Sequence, residues 1–209
     1  MKIKIVTGYE GNCLYKDIVI ENLLEYCSKH NYQLFYKFED WEHTNRYPYW
    51  RKLELIRNNL FDCDYLLWID ADCMFIDMNR KLESIIDDND FFITKEDVVQ
   101  AGCFLIKNTI EVSDFLKYWW DKGEINKYWK DYKDENGIYN APNNDNTILT
   151  NILDNSEESI RFKHLTNMEF VTKHVHFYDN PNCFIVHTVG SLEEDKFSFM
   201  SDFKKQVKR

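Results

Sequence analysis

The sequence predicts an α/β fold in one domain, with a mostly parallel central sheet flanked by helices. Three observations carry that prediction. Segments with strand and helix periodicity alternate through the first half of the chain. One strand-length run, Tyr65-Leu66-Leu67-Trp68-Ile69, is apolar throughout, as a strand covered on both faces must be. The 209 residues contain no internal repeat and no linker, so 1–209 is read as one domain around one sheet.

Each element has its own justification. Lys2–Thr7 alternates as a strand and runs into Gly8-Tyr9-Glu10-Gly11, the glycine-rich stretch of the chain. Lys16–His30 places Ile20, Leu23, Leu24 and Cys27 on one helical face, and Tyr32–Tyr36 reads as a second strand. Trp50–Leu60 returns to helical spacing through Leu53, Ile56 and Leu60 before the buried strand 65–69. Further strands are expected at Phe91–Thr94 and Cys103–Ile106. A helix over Glu111–Lys122 should end at Gly123, a favourable residue just past a helix terminus. Glu124–Asn144 is polar and reads as a long surface excursion near a site. A short helix fits Asp145–Leu153, and Phe184–Val186 is a strand leading into His187. The basic tail from Lys204 suits the end of a last helix, where cations complement the dipole.

Composition excludes several function classes. Lys plus Arg number 26 against 36 Asp plus Glu, a formal charge of −10, so no general grip on nucleic acid is expected. An anionic substrate would need a metal ion to supply positive charge. No apolar run is long enough to span a bilayer, and residues 1–6 enter a strand pattern without a signal-peptide core. The six cysteines are dispersed, with no CxxC pair, and are expected as reduced, mostly buried thiols. The expected location is the cytoplasm.

The strongest chemical signal is Leu66-Leu67-Trp68-Ile69-Asp70-Ala71-Asp72. A buried strand delivers two carboxylates at its C-terminal end, where open α/β sheets bind ligands. On an extended chain, Asp70 and Asp72 would share one side and could hold Mg²⁺ or Mn²⁺, leaving positions for phosphate oxygens. Asp62-Cys63-Asp64 repeats the pattern at the strand's entrance, roughly 16 Å away at about 3.3 Å per residue, and reads as a turn. A phosphatase of the haloacid dehalogenase type would also use such a pair, with Asp70 as nucleophile. Those enzymes usually continue with a small turn such as Gly-Thr, whereas this chain continues Cys73-Met74-Phe75.

Five segments, in order, resemble motifs of retaining GT-A-fold glycosyltransferases, most closely glycosyltransferase family 34, the galactosyl-, mannosyl- and xyloglucan xylosyltransferase group. They are Tyr49-Trp50-Arg51-Lys52-Leu53, Leu66–Asp72, Ala101–Asn108, Asn143–Leu149 and His187-Thr188-Val189-Gly190. The resemblance covers roughly residues 1–190 and implies a GT-A sheet and a nucleotide-sugar donor, with UDP favoured. It further implies Mn²⁺ (or Mg²⁺) and a glycan or glycoprotein acceptor. Asp70, Asp72 and His187 would hold the metal, with His174 and His176 as rival ligands. Thr7, Gly8 and Tyr9 would dock base and ribose, with Tyr9 stacking on the base. Lys52 would lie near the nucleotide, and Ala71, Gln100, Ala101 and Gly102 beside the donor. Asp145, with Asn146 beside it, would supply the catalytic carboxylate, although the start of a helix also suits Asp145 as an N-cap. Trp119, Trp120 and Trp129, with Tyr47 and Tyr49, are sugar-stacking candidates.

The chain departs from the family at three places. Asn144 and Asn146 stand where the xylosyltransferases carry Asp and Gln, and Leu192 stands where a basic residue is usual, with Lys196 the substitute that could reach phosphate. The family's eukaryotic members also carry a membrane anchor and stem that this sequence does not contain, so the chain is expected to be a bare catalytic domain, either cut from a longer protein or like the soluble relatives found in large DNA viruses. A non-catalytic nucleotide-sugar or glycan-binding module is the third reading.

Overall fold

The structure, a computed structural model, describes residues 1–39, 46, 48–95, 99–123, 144–155, 160–179, 182–190 and 192–208. In chain order these form β1 (Ile3–Tyr9), α1 (Lys16–His30), β2 (Gln33–Phe38), α2 (Arg51–Asn59), β3 (Tyr65–Ile69), β4 (Cys73–Phe75), β5 (Phe91–Lys95) and β6 (Val99–Lys107). They continue with α3 (Ile110–Lys122), α4 (Asp145–Asn155), β7 (Phe162–Leu165), β8 (Val171–Lys173), β9 (Ile185–His187) and α5 (Glu193–Gln206).

Six strands make the central sheet in the order β2-β1-β3-β6-β5-β7. β1 pairs parallel with β2 and β3, and β5 with β7, while β6 runs against both of its neighbours. The sheet is therefore mixed about a parallel majority. Alternation along each strand splits the core between its two faces. Leu66 and Trp68 of β3 join Phe104 and Ile106 of β6 beneath α2, α3 and α4. Leu67 and Ile69 join Cys103 and Leu105 on the opposite face, with α1 and α5.

The boundaries differ from the sequence reading in instructive places. β1 extends through Gly8 and Tyr9, which pair with Lys37 and Phe38, so these residues lie within the strand. A second sheet, β4-β9-β8, was not expected because its strands have only three residues each. His174 and His176 lie in a 3₁₀ turn, since three residues after β8 cannot sustain strand alternation. Gly123 follows α3 with φ −70°, ψ 129°, an extended ending, and Asn31 instead supplies a left-handed ending, after α1. All six cysteines are buried thiols. Asp62 pairs with Lys4, and Asp64 accepts the Lys2 amide at 2.6 Å, so the upstream Asp-x-Asp fastens β1 to β3. Among the described residues no helix is long and apolar enough to cross a membrane.

Candidate active site

Three strand ends meet at the site. β3 ends at Ile69, and the chain then turns, with the Cys73 amide donating to the Asp70 carbonyl at 3.0 Å. The pair Asp70 and Asp72 therefore spans a turn between two sheets, and the extended geometry expected from sequence gives way to it. The Asp70 amide donates to the Gly102 carbonyl on β6 at 2.7 Å. β4 then pairs with β9 so that Cys73 faces His187. Backbone pairing thus brings Asp72 beside a histidine over a hundred residues away, and Thr188 fastens the join through two hydrogen bonds to the Asp72 carbonyl.

His187 Nε2 lies 3.1 Å from Asp72 Oδ1, and Lys196 Nζ of α5 lies 2.9 Å from Asp72 Oδ2. The buried His187 Nδ1 has no hydrogen-bond partner. A Cβ added at Gly102 would collide with His187 Cε1 and would sit 3.0 Å from both His187 Nδ1 and Asp70 Oδ2. The missing side chain at Gly102 therefore leaves room between a carboxylate oxygen and an imidazole nitrogen. Among the described residues, Asp72, Cys73 and His187 also form a group whose potential ligand atoms lie within 4.8 Å of one another. Burial first, then nearby Asp72, pushes the Cys73 thiol well above its ordinary pKa, which disfavours the thiolate a metal needs. Carboxylate oxygen and imidazole nitrogen are a donor set that fits Mn²⁺ or Mg²⁺, so the residues present fit the metal implied by the sequence.

Lys52 joins this centre to α4. Its buried ammonium lies 3.3 Å from Asp70 Oδ1, 2.8 Å from Asp145 Oδ2 and 2.8 Å from the Ala101 carbonyl, so each of three protons has a partner. Burial disfavours that charge, but Asp145 and Asp70 outweigh it and hold the Lys52 pKa above its ordinary value. Trp68 Nε1 donates to Asp70 Oδ1 at 2.6 Å. Burial, which outweighs the Lys52 attraction, raises the Asp70 carboxyl. Burial opposes the charge of Asp72 too, yet His187 and Lys196 prevail and hold it well below the usual carboxylate range. Three carboxylates, Asp70, Asp72 and Asp145, therefore face two ammonium groups.

The other expected site residues divide clearly. Asn144 Oδ1 accepts the Thr147 amide at 2.8 Å and caps α4, which leaves the Asp145 carboxylate to Lys52. Asn146 Oδ1 accepts the Ala101 amide at 2.8 Å, so Asn146 fastens α4 to β6. Ala71 packs into the core, and Thr7 is buried with an unpartnered hydroxyl. Gln100 is buried with both amide atoms unpartnered, two residues from Gly102 along β6. Tyr9 donates to Glu193 Oε1 at 2.9 Å. Trp119 is completely buried and donates to the Asp145 carbonyl at 3.1 Å, so it is core and not a sugar platform. Trp120 packs partly buried with Arg46 over its ring at 4.2 Å. Trp129 and Tyr47 lie outside the described residues. Glu193 is the participant that sequence reasoning missed, because nothing local marks a helix glutamate as the partner of Tyr9, 184 positions earlier.

The mixed sheet, with its carboxylate pair at the exit of β3 and a histidine returning on β9, has the architecture of the GT-A fold. Residues 3–95 match the galactosyl transferase GMA12/MNN10 family. The matched part carries Lys52, Asp70 and Asp72. The chain is 27% identical over 143 residues, 58% of its length, to galactomannan galactosyltransferase 1 of Cyamopsis tetragonoloba. It is 31% identical over 122 residues, 52% of its length, to xyloglucan 6-xylosyltransferase 2 of Arabidopsis thaliana. These matches take in 33% and 26% of those proteins, so the chain spans about a third of the length of such relatives or less. A glycosyltransferase involved in glycosylation of the major capsid of PBCV-1 has a similar fold, with TM-score 0.70 at 14% identity, covering 97% of this chain and 100% of that one.

Proposed function

We propose that this chain transfers a sugar from a nucleotide-sugar donor, UDP-linked, to a hydroxyl of a glycan or glycoprotein acceptor, with retention and with a divalent cation, Mn²⁺ in first place. The observation that carries the reading is the cluster itself: Asp70 and His187 face the gap left by Gly102, Asp72 pairs with His187, and Lys52 ties Asp145 to Asp70. The reading also draws on the relatives, named as galactosyl- and xylosyltransferases. When bound, the cation would neutralise the diphosphate, which reconciles an anionic substrate with a chain of charge −10.

The chain's own residues would do the rest. Asp70, Asp72 and His187 would hold the cation. Lys52 holds the Asp145 carboxylate in place at 2.8 Å, and Asp145 would stabilise positive charge developing at the anomeric carbon. The Gln100 amide, with a donor and an acceptor both unpartnered, suits hydrogen bonding to a sugar hydroxyl. Retention would follow from same-face displacement, the leaving phosphate taking the acceptor proton. A reducing compartment such as the cytoplasm suits the six buried thiols. The family match favours this reading over the phosphatase alternative.

Calorimetric titration of UDP and GDP, with Mn²⁺ and with chelator, tests the reading. UDP should bind only with Mn²⁺, and Asp72→Ala should abolish both that binding and sugar transfer. Unchanged transfer by a folded Asp72→Ala protein would overturn the mechanism.

A further inference from the structure

Asp72 already has a cation. Lys196 Nζ lies 2.9 Å from Oδ2 while His187 Nε2 takes Oδ1, so both carboxylate oxygens are engaged. This ammonium is built in rather than draped over the surface: its side chain is only 15% exposed. It projects from the first turns of α5, a helix anchored by buried Met200 and Phe203. One turn earlier, Glu193 accepts from Tyr9 at 2.9 Å and Tyr15 at 3.4 Å, which fixes the start of α5 against β1 and the start of α1. The charged and titratable groups facing Lys196 are Asp72, Glu193 at 4.0 Å, Asp70 and His174, with His187 on the other oxygen of Asp72. Leu192, the position where sequence reasoning looked for a basic residue, carries no charge and is 43% exposed.

We propose that Lys196 is an internal counter-cation, which a divalent metal must displace from Asp72 and which then takes the donor's diphosphate as its new anionic partner. The inference rests on the metal-dependent reading above. One carboxylate oxygen cannot sit against an ammonium and a divalent ion together without strong like-charge repulsion between the two. A metal arriving alone must therefore drive Lys196 away from its partner with nothing to replace it. A metal arriving with a nucleoside diphosphate brings the replacement. Metal and nucleotide should consequently tighten one another's binding, by a factor within the usual 5–150-fold range of coupled sites.

Mn²⁺ titrations followed by the electron paramagnetic resonance signal of the free ion, with and without UDP, test this without relying on turnover. Wild type should bind Mn²⁺ weakly alone and at least about five-fold more tightly with UDP. Lys196→Met should bind Mn²⁺ alone about ten-fold more tightly than wild type and lose most of the UDP effect. Lys196→Arg should retain the coupling. If Lys196→Met fails to fold by circular dichroism, Lys196→Gln carries the same expectation. Mn²⁺ binding by the neutral variant no tighter than wild type, or full retention of coupling, overturns the role of Lys196 while leaving the proposed function standing. Absence of Mn²⁺ binding by wild type with UDP or GDP would instead overturn both.

Discussion

Gly102 decides the geometry of the centre through an atom it lacks. Any side chain there would run into the His187 ring and crowd Asp70 Oδ2, so either the histidine must leave Asp72 or β6 must part from β3. Gly102→Ala should therefore fold, with a loss of about 1–3 kcal/mol from overpacking, and bind the Mn²⁺–nucleotide pair at least about ten-fold more weakly. Chemical denaturation and calorimetry read the two effects separately. Wild-type affinity in the alanine variant would show that the gap is not where the cation sits. The same scale shows why single residues mislead. Asp145 at the start of a helix invites reading as a cap, yet the adjacent Asn144 caps α4. The freed carboxylate is instead held in a buried ion pair with Lys52, an arrangement a helix cap would not need.

At the scale of elements, ion pairs fasten the edge of the main sheet, Lys163 of β7 with Asp87 at 2.8 Å and Arg161 with Asp90. Asp90, just before β5, accepts from the Arg161 amide at 3.2 Å and from its guanidinium at 3.1 and 3.2 Å. It thereby locks β7 in parallel register with β5. Hydrogen bonding to Arg161 outweighs burial and holds the Asp90 carboxyl below its ordinary value. Because the folded pKa is the lower one, this stabilisation is complete above the unfolded value of about 3.9 and disappears as pH falls through the folded value. Asp90→Ala should lose about 1 kcal/mol at pH 7, a modest figure because the Arg161 side chain is 58% exposed. Urea unfolding at pH 7, 5 and 3 should show the same difference at pH 7 and 5 and a smaller one at pH 3. A constant difference at all three would mean that Asp90 acts by packing. The short strands teach a related lesson: β4, β8 and β9 have three residues each, too few to show alternation, and they carry His187 to the site.

For the molecule as a whole, the two sheets are joined through an aromatic cluster. Phe75 of β4 is fully buried and stacks on Tyr26 of α1 at 3.6 Å between ring centroids, with Phe184 at 5.5 Å. Phe75→Ala should destabilise the protein by about 3–5 kcal/mol, the cost of an aromatic deletion in a close-packed core. If the sheets fold as one unit, unfolding should remain a single cooperative transition at lower denaturant. A second, separate transition in that variant would show that the β4-β9-β8 sheet folds independently. The net charge also acts at this scale. With three carboxylates facing two ammonium groups at the site, the surplus of acid in the whole chain extends to the centre and leaves it short of positive charge.

Much of this was legible in the chain. The ends of α1 and the buried run of β3 follow from periodicity, since a helix or strand writes its spacing directly into its apolar residues. The position of Asp70 and Asp72 at the exit of that strand follows for the same reason. The reversal of β6, the second sheet and the paths of Lys52 and Lys196 did not follow. Strand direction depends on how loops close, and an ion pair such as Lys196 with Asp72 joins residues 124 positions apart. The sequence alone determined which residues could carry charge and where along the chain they lie. Only the tertiary structure decided which charges meet, because burial and backbone pairing, rather than neighbourhood in sequence, set the distances over which electrostatics acts.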